Sequence, residues 1–119
     1  METIILPGFS LKNRTWAEET QAGLSPTISA SVVNWTHWET GTAESDWIDK
    51  ETQRVVGVIQ DRQVNILSKS IGTAIAMGVI EQKPESVNKI ILCGIPVRDF
   101  LAGDENRYEP LKAFSVDKV

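Results

Sequence analysis

Val64-Asn65-Ile66-Leu67-Ser68-Lys69-Ser70-Ile71-Gly72-Thr73-Ala74-Ile75-Ala76-Met77-Gly78-Val79-Ile80 joins two kinds of structure with almost nothing between them. Residues 64–67 are mostly aliphatic and β-branched, which predicts a buried strand. Residues 73–80 carry almost no polar side chain, which predicts a helix buried on most of its circumference. Between them, residues 68–72 must turn the chain sharply. The turn brings strand and helix backbones together, and Ser68, Gly72, Ala74, Ala76 and Gly78 are small enough to permit it.

Working outward, the same alternation repeats. Upstream, residues 3–6 read as a strand stopped by Pro7-Gly8, residues 14–24 as a helix, and residues 29–35 as a second strand. The polar stretch 36–46 reads as a loop of uncommon length, and residues 47–60 return to helical spacing through Ile48, Thr52, Val55, Val56 and Ile59. Downstream, residues 89–95 form a fourth, continuously apolar strand ended by Pro96, followed by a weakly helical tail at 108–114. Strands alternating with helices imply βαβ units and right-handed crossovers. The expected fold is therefore a three-layer α/β unit with a mostly parallel sheet of about four strands in the order 2-1-3-4. The run Ile90 to Ile95 suits a strand covered on both faces, so further chain or a second copy is expected against it, with self-association through this last strand as one outcome.

The chain has 119 residues, 41% of them hydrophobic and 24% charged, the balance of an ordinary globular domain, and one domain over 1–119 is expected. A net charge of −4 leaves no basic run to neutralise phosphates, so a nucleic-acid partner is not expected. Cys93 is the only cysteine and His37 the only histidine, so no intrachain disulfide and no zinc cluster are expected. Met1-Glu2-Thr3 is acidic and only Ile4, Ile5 and Leu6 precede Pro7, which is unlike a signal peptide. No stretch approaches the roughly 18 apolar residues of a membrane span. The reading is of a cytoplasmic protein acting on a small molecule, without cofactor or metal. A P-loop and a dinucleotide fingerprint are absent, because no Gly-x-x-x-x-Gly precedes Lys69-Ser70 and no G-x-G-x-x-G follows the first strand.

The turn at 68–72 also matches a chemical requirement. Serine is a weak nucleophile, and an enzyme that uses one exposes its Oγ on a tight strand-to-helix turn with backbone N–H donors near the developing oxyanion. Ser68-Lys69-Ser70-Ile71-Gly72 corresponds to the G-x-S-x-G elbow with its first glycine replaced. Ser70 is therefore the candidate nucleophile, against the alternative of a helix N-cap. In a 2-1-3-4 sheet the switch point lies between strands 1 and 3, whose carboxyl ends lead to Pro7-Gly8-Phe9 and to Ser70.

Together these stretches resemble the α/β-hydrolase family over nearly the whole chain, most closely small members with a Lys-Ser-x-Gly elbow and an Ile-Leu-Cys-Gly-Ile-Pro strand. The resemblance implies a serine hydrolase acting on a small ester, thioester or amide. It makes the N–H groups of Phe9 and Ile71 the oxyanion donors, against the alternative that Pro7-Gly8 is simply a turn. It also implies that the acid and histidine of the triad lie on later strands, so that the chain lacks its C-terminal third and hydrolyses little by itself. His37 is the one histidine able to serve as base within the chain. It stands as well for a crevice-lining residue, with Trp35 and Trp38, or an ordinary loop residue. Gly8, Ser10 and Lys69 are further lining candidates, and Asp99 and Asp104 are expected to be solvated or capping. The second functional class is a catalytically inactive binding or interaction module on the same fold.

Overall fold

The computed structural model describes residues 1–24 and 26–94. Four strands, β1 (Glu2–Leu6), β2 (Ala30–Val32), β3 (Val64–Lys69) and β4 (Val87–Cys93), form one sheet in the order β2-β1-β3-β4 with every pair parallel. The helices are α1 (Asn13–Leu24), α2 (His37–Thr40), α3 (Trp47–Ile59) and α4 (Gly72–Gln82), with a 3₁₀ turn at Pro84–Ser86. The α/β class, the parallel four-stranded sheet and its strand order are thus as the sequence implies.

Alternation along the central strands divides the layers. Ile4, Leu6, Ile66 and Ile90 face α3 and α4 in the main core, together with Val55, Ile59, Ile75 and Ile80. Ile5 and Leu67 point the other way and pack with Ala17, Trp16 and Leu24 of α1. Burying a large aliphatic side chain contributes about 1.5–3 kcal/mol, so the main core carries most of the stability. Where α3 meets α4, a Cβ at Gly78 would lie 2.7 Å from Thr52 Cγ2, so the small residue sets the helix spacing.

Several boundaries differ from the sequence reading. β2 is three residues long rather than seven, because β1 reaches Pro7, which has no N–H to continue the ladder; Val33 N–H makes one more bond to Ile5 O. The 36–46 stretch contains the short helix α2, which closes when Gly41 adopts φ 83° and its N–H bonds to His37 O. β4 begins at Val87 rather than Lys89. β4 is not covered on both faces as expected: the face bearing Ile90 is buried, while Ile91 on the other is 56% exposed. The expected end of the strand at Ile95, the helical tail at 108–114, Asp99 and Asp104 all lie outside the described residues. Among the described residues, no helix is long and apolar enough to cross a membrane.

Gln60 closes α3 at φ 55° and ψ −126°, a conformation that disfavours any side chain. Gln60→Gly is expected to raise stability by about 0.5–1 kcal/mol, the relief of strain exceeding the added chain entropy. A thermal melt checks this, and an unchanged or lower midpoint would show that Gln60 is not strained.

Candidate active site

β3 ends at Lys69 and α4 starts at Gly72, leaving Ser70 and Ile71 to make the whole turn. Ser70 takes φ 52°, in the left-handed region that costs an L-residue roughly 1–2 kcal/mol. The strained backbone is fastened on several sides. Ser70 N–H is shared between Cys93 O (3.2 Å) and Gly94 O (3.0 Å) at the end of β4, and Ser70 O accepts from Thr73 N–H (2.9 Å). Beneath the turn the buried Ser68 and Thr73 hydroxyls are 3.1 Å apart, linking the end of β3 to the first turn of α4. Gly72 has no room for a side chain: a Cβ there would lie 2.2 Å from Leu6 O and 2.7 Å from Pro7 O. The head of α4 therefore rests directly on the end of β1, so the two stretches singled out in the sequence are neighbours. Ser70 itself is exposed, and Ile71 is buried. Among the described residues the Ile71 N–H, at the head of α4, has no backbone carbonyl as partner.

The loop after β1 is held by aromatic side chains. Trp35 is fully buried, and its Nε1–H donates to both Pro7 O (3.2 Å) and Gly8 O (3.1 Å). His37 Nε2 lies 2.5 Å from Phe9 O, and Trp38 Nε1–H donates to the same oxygen at 2.9 Å. A carbonyl only accepts, so Nε2 carries the imidazole proton. The Phe9 ring stacks on His37 (4.2 Å between centroids), and Trp47 meets His37, Phe9 and Trp35 edge-on at 4.9, 5.2 and 5.4 Å. His37 is 8% exposed, and its Nδ1 and Trp47 Nε1 are buried without a hydrogen-bond partner among the described residues.

The remaining lining candidates lie around this loop. Gly8 is buried, and Ser10 is exposed with its Oγ and carbonyl accepting from Asn13 Nδ2 (3.1 Å each). Lys69 Nζ sits 4.9 Å from the Trp16 ring centroid, and the Arg14 guanidinium lies 5.3 Å from that of Trp38. Cys93 is exposed at the end of β4. Behind the aromatic segment, Glu51 is 2% exposed; it accepts from Thr36 Oγ1 (2.9 Å) and pairs with Arg54 Nη2 (2.6 Å), which also donates to Asn34 O (2.7 Å). This network ties residues 34–36 to α3. The sequence reading missed it, because its only local signal is the i,i+3 spacing of Glu51 and Arg54, a common surface pattern.

Among the described residues, two open clefts lie elsewhere. One of about 530 Å³ runs between α1 and β2, lined by Glu18, Gln21 and Ile28 among others. The second, about 220 Å³, is lined by Thr36, Thr40, Thr42, Glu44, Trp47 and Lys50. There the Lys50 ammonium is held above its ordinary range by its hydrogen bond to Glu44 and then by the charge of Asp46. Neither cleft includes Ser70. Among the described residues no group of three or more His, Cys, Asp or Glu is gathered as a metal site would need. No known protein family and no curated protein matches the chain.

Proposed function

We propose that this chain is the nucleophile-bearing part of an α/β-hydrolase-like serine hydrolase acting on a small ester, thioester or amide. The observation that carries the reading is the left-handed backbone of Ser70, the one residue between the carboxyl end of β3 and the head of α4 with a positive φ. Strain of this kind persists only where its surroundings over-determine it, and it concentrates at functional sites. Gln60 is strained as well, at the end of α3, but Ser70 differs in standing exposed at a strand-to-helix turn packed against the loop after β1.

On this reading Ser70 Oγ attacks the acyl carbon, its proton passes to a general base, and the N–H groups of Phe9 and Ile71 receive the charge that develops on the carbonyl oxygen. The leaving group departs with that proton, and water then releases the acid from the acyl-serine. His37 is better suited to holding Phe9 than to acting as base, since its Nε2 already serves the Phe9 carbonyl. On this reading the general base is a group other than His37. The commitment of the single histidine to this loop also favours a second reading, a binding module that keeps the crevice without the chemistry.

One experiment separates the two. Treating the longest natural product of the gene with a fluorophosphonate probe is expected to label Ser70 covalently, and Ser70→Ala to abolish labelling without lowering the melting temperature. An unlabelled Ser70 in a folded protein would leave the binding module as the answer.

A further inference from the structure

Three successive carbonyls after β1, those of Pro7, Gly8 and Phe9, are all taken by ring N–H donors from one short segment containing Trp35, His37 and Trp38. We propose that these three side chains are positioning residues: by holding the Gly8 and Phe9 carbonyls, they turn the Phe9 and Ser10 N–H groups toward Ser70. The inference deepens the serine-hydrolase reading and rests on it for its chemical consequence.

The argument is one of peptide geometry. In a trans peptide the carbonyl and the N–H of the same plane point in opposite directions. Gly8 O shares its plane with the Phe9 N–H, and Phe9 O shares its plane with the Ser10 N–H. With both carbonyls held by the ring donors, the opposed N–H groups are left on the other side of the loop, which adjoins the turn carrying Ser70: Pro7 O lies 2.7 Å from a Cβ built at Gly72. Simple packing would not need ring donors on three consecutive carbonyls. The donors are themselves fixed. Trp35 is fully buried, His37 stacks on the Phe9 ring with Trp47 edge-on to both, and the segment is tied to α3 through Thr36, Glu51, Arg54 and Asn34. Preorganised donors are what make an oxyanion site effective, because they need no rearrangement as charge develops.

The test uses Trp35→Phe, His37→Leu, His37→Gln and Trp38→Phe in the full gene product. It reads Ser70 labelling by the fluorophosphonate probe, the backbone amide signals of Phe9 and Ser10 in ¹H–¹⁵N spectra, and the melting temperature. Trp35→Phe and His37→Leu are expected to slow labelling about 10- to 100-fold, the range expected when a reacting group is displaced by an ångström or less. Both should shift the Phe9 or Ser10 amide signal. His37→Gln, whose Nε2–H can still reach the Phe9 carbonyl, should restore most of the rate, which a merely structural histidine would not show. Should Trp35→Phe fail to fold, the His37 pair and Trp38→Phe still decide. Wild-type labelling rates and unmoved amide signals in folded His37→Leu would overturn the proposal. If the wild type itself resists the probe, the hydrolase reading fails separately. The amide signals then judge the positioning: shifts in Trp35→Phe and His37→Leu support it, and constancy overturns it.

Discussion

Gly72→Ala is expected to lower the melting temperature by roughly 10 °C, which corresponds to about 3 kcal/mol for a domain of this size. The added methyl would meet Leu6 O at 2.2 Å and Pro7 O at 2.7 Å, well inside van der Waals contact. Neither obstacle is a side chain that can swing away. Both are backbone carbonyls at the end of β1, a strand paired on both sides, so relief requires α4 to lift from the sheet. Overpacking of this kind costs typically 1–3 kcal/mol and occasionally more, and the better helix propensity of alanine returns less than about 1 kcal/mol. Gly57→Ala is the matched control. Gly57 lies within α3 with nothing inside 4 Å of its Cβ position, so the same substitution there is expected to stabilise by up to about 1 kcal/mol. Opposite signs in thermal melts would confirm that close approach to β1, and not helix propensity, explains Gly72. Equal midpoints for Gly72→Ala and wild type would refute it.

Arg54→Met should be nearly as damaging, with a loss of about 2–3 kcal/mol in urea unfolding at neutral pH. The guanidinium holds Glu51 Oε2 at 2.6 Å and Asn34 O at 2.7 Å. Without it, the carboxylate of a residue 2% exposed keeps only the Thr36 hydroxyl. Breaking a fully buried pair costs about 3–5 kcal/mol, and the 38% exposure of Arg54 scales this down because water still reaches part of the site. Replacing both partners, Glu51→Leu with Arg54→Met, should recover much of the loss, since no charge is then left desolvated. Strictly additive single losses would mean that the two residues act independently. Because the network holds residues 34–36, Arg54→Met should also weaken the hold of Trp35 on Gly8.

How far the sequence could be read depended on the range of the forces involved. The run from Val64 to Ile80 was legible because aliphatic periodicity and a cluster of small residues are local properties, and the strand, turn and helix sit where that run implies. The length of β2 was not legible. Residues 29–35 look like a strand throughout, but its partner β1 runs into Pro7 and the ladder stops. Helix α2 escaped notice because its four residues, His37 to Thr40, are too few to show a period, although Gly41 marked their end. His37 drew attention only as the single histidine, and nothing in its neighbourhood in sequence pointed to the Phe9 carbonyl.

By itself, then, the amino-acid sequence determined the order of the four strands and of α1, α3 and α4, the parallel α/β class and the sharp turn carrying Ser70, since each follows from spacing and turn chemistry within a few residues. The tertiary structure alone decided what surrounds that turn. Trp35 and Gly8 are 27 residues apart, and His37 and Phe9 are 28 apart. Gly72 meets β1 only once α4 has packed. These are hydrogen bonds and steric contacts between segments brought together by parallel strand pairing, and no local pattern encodes them.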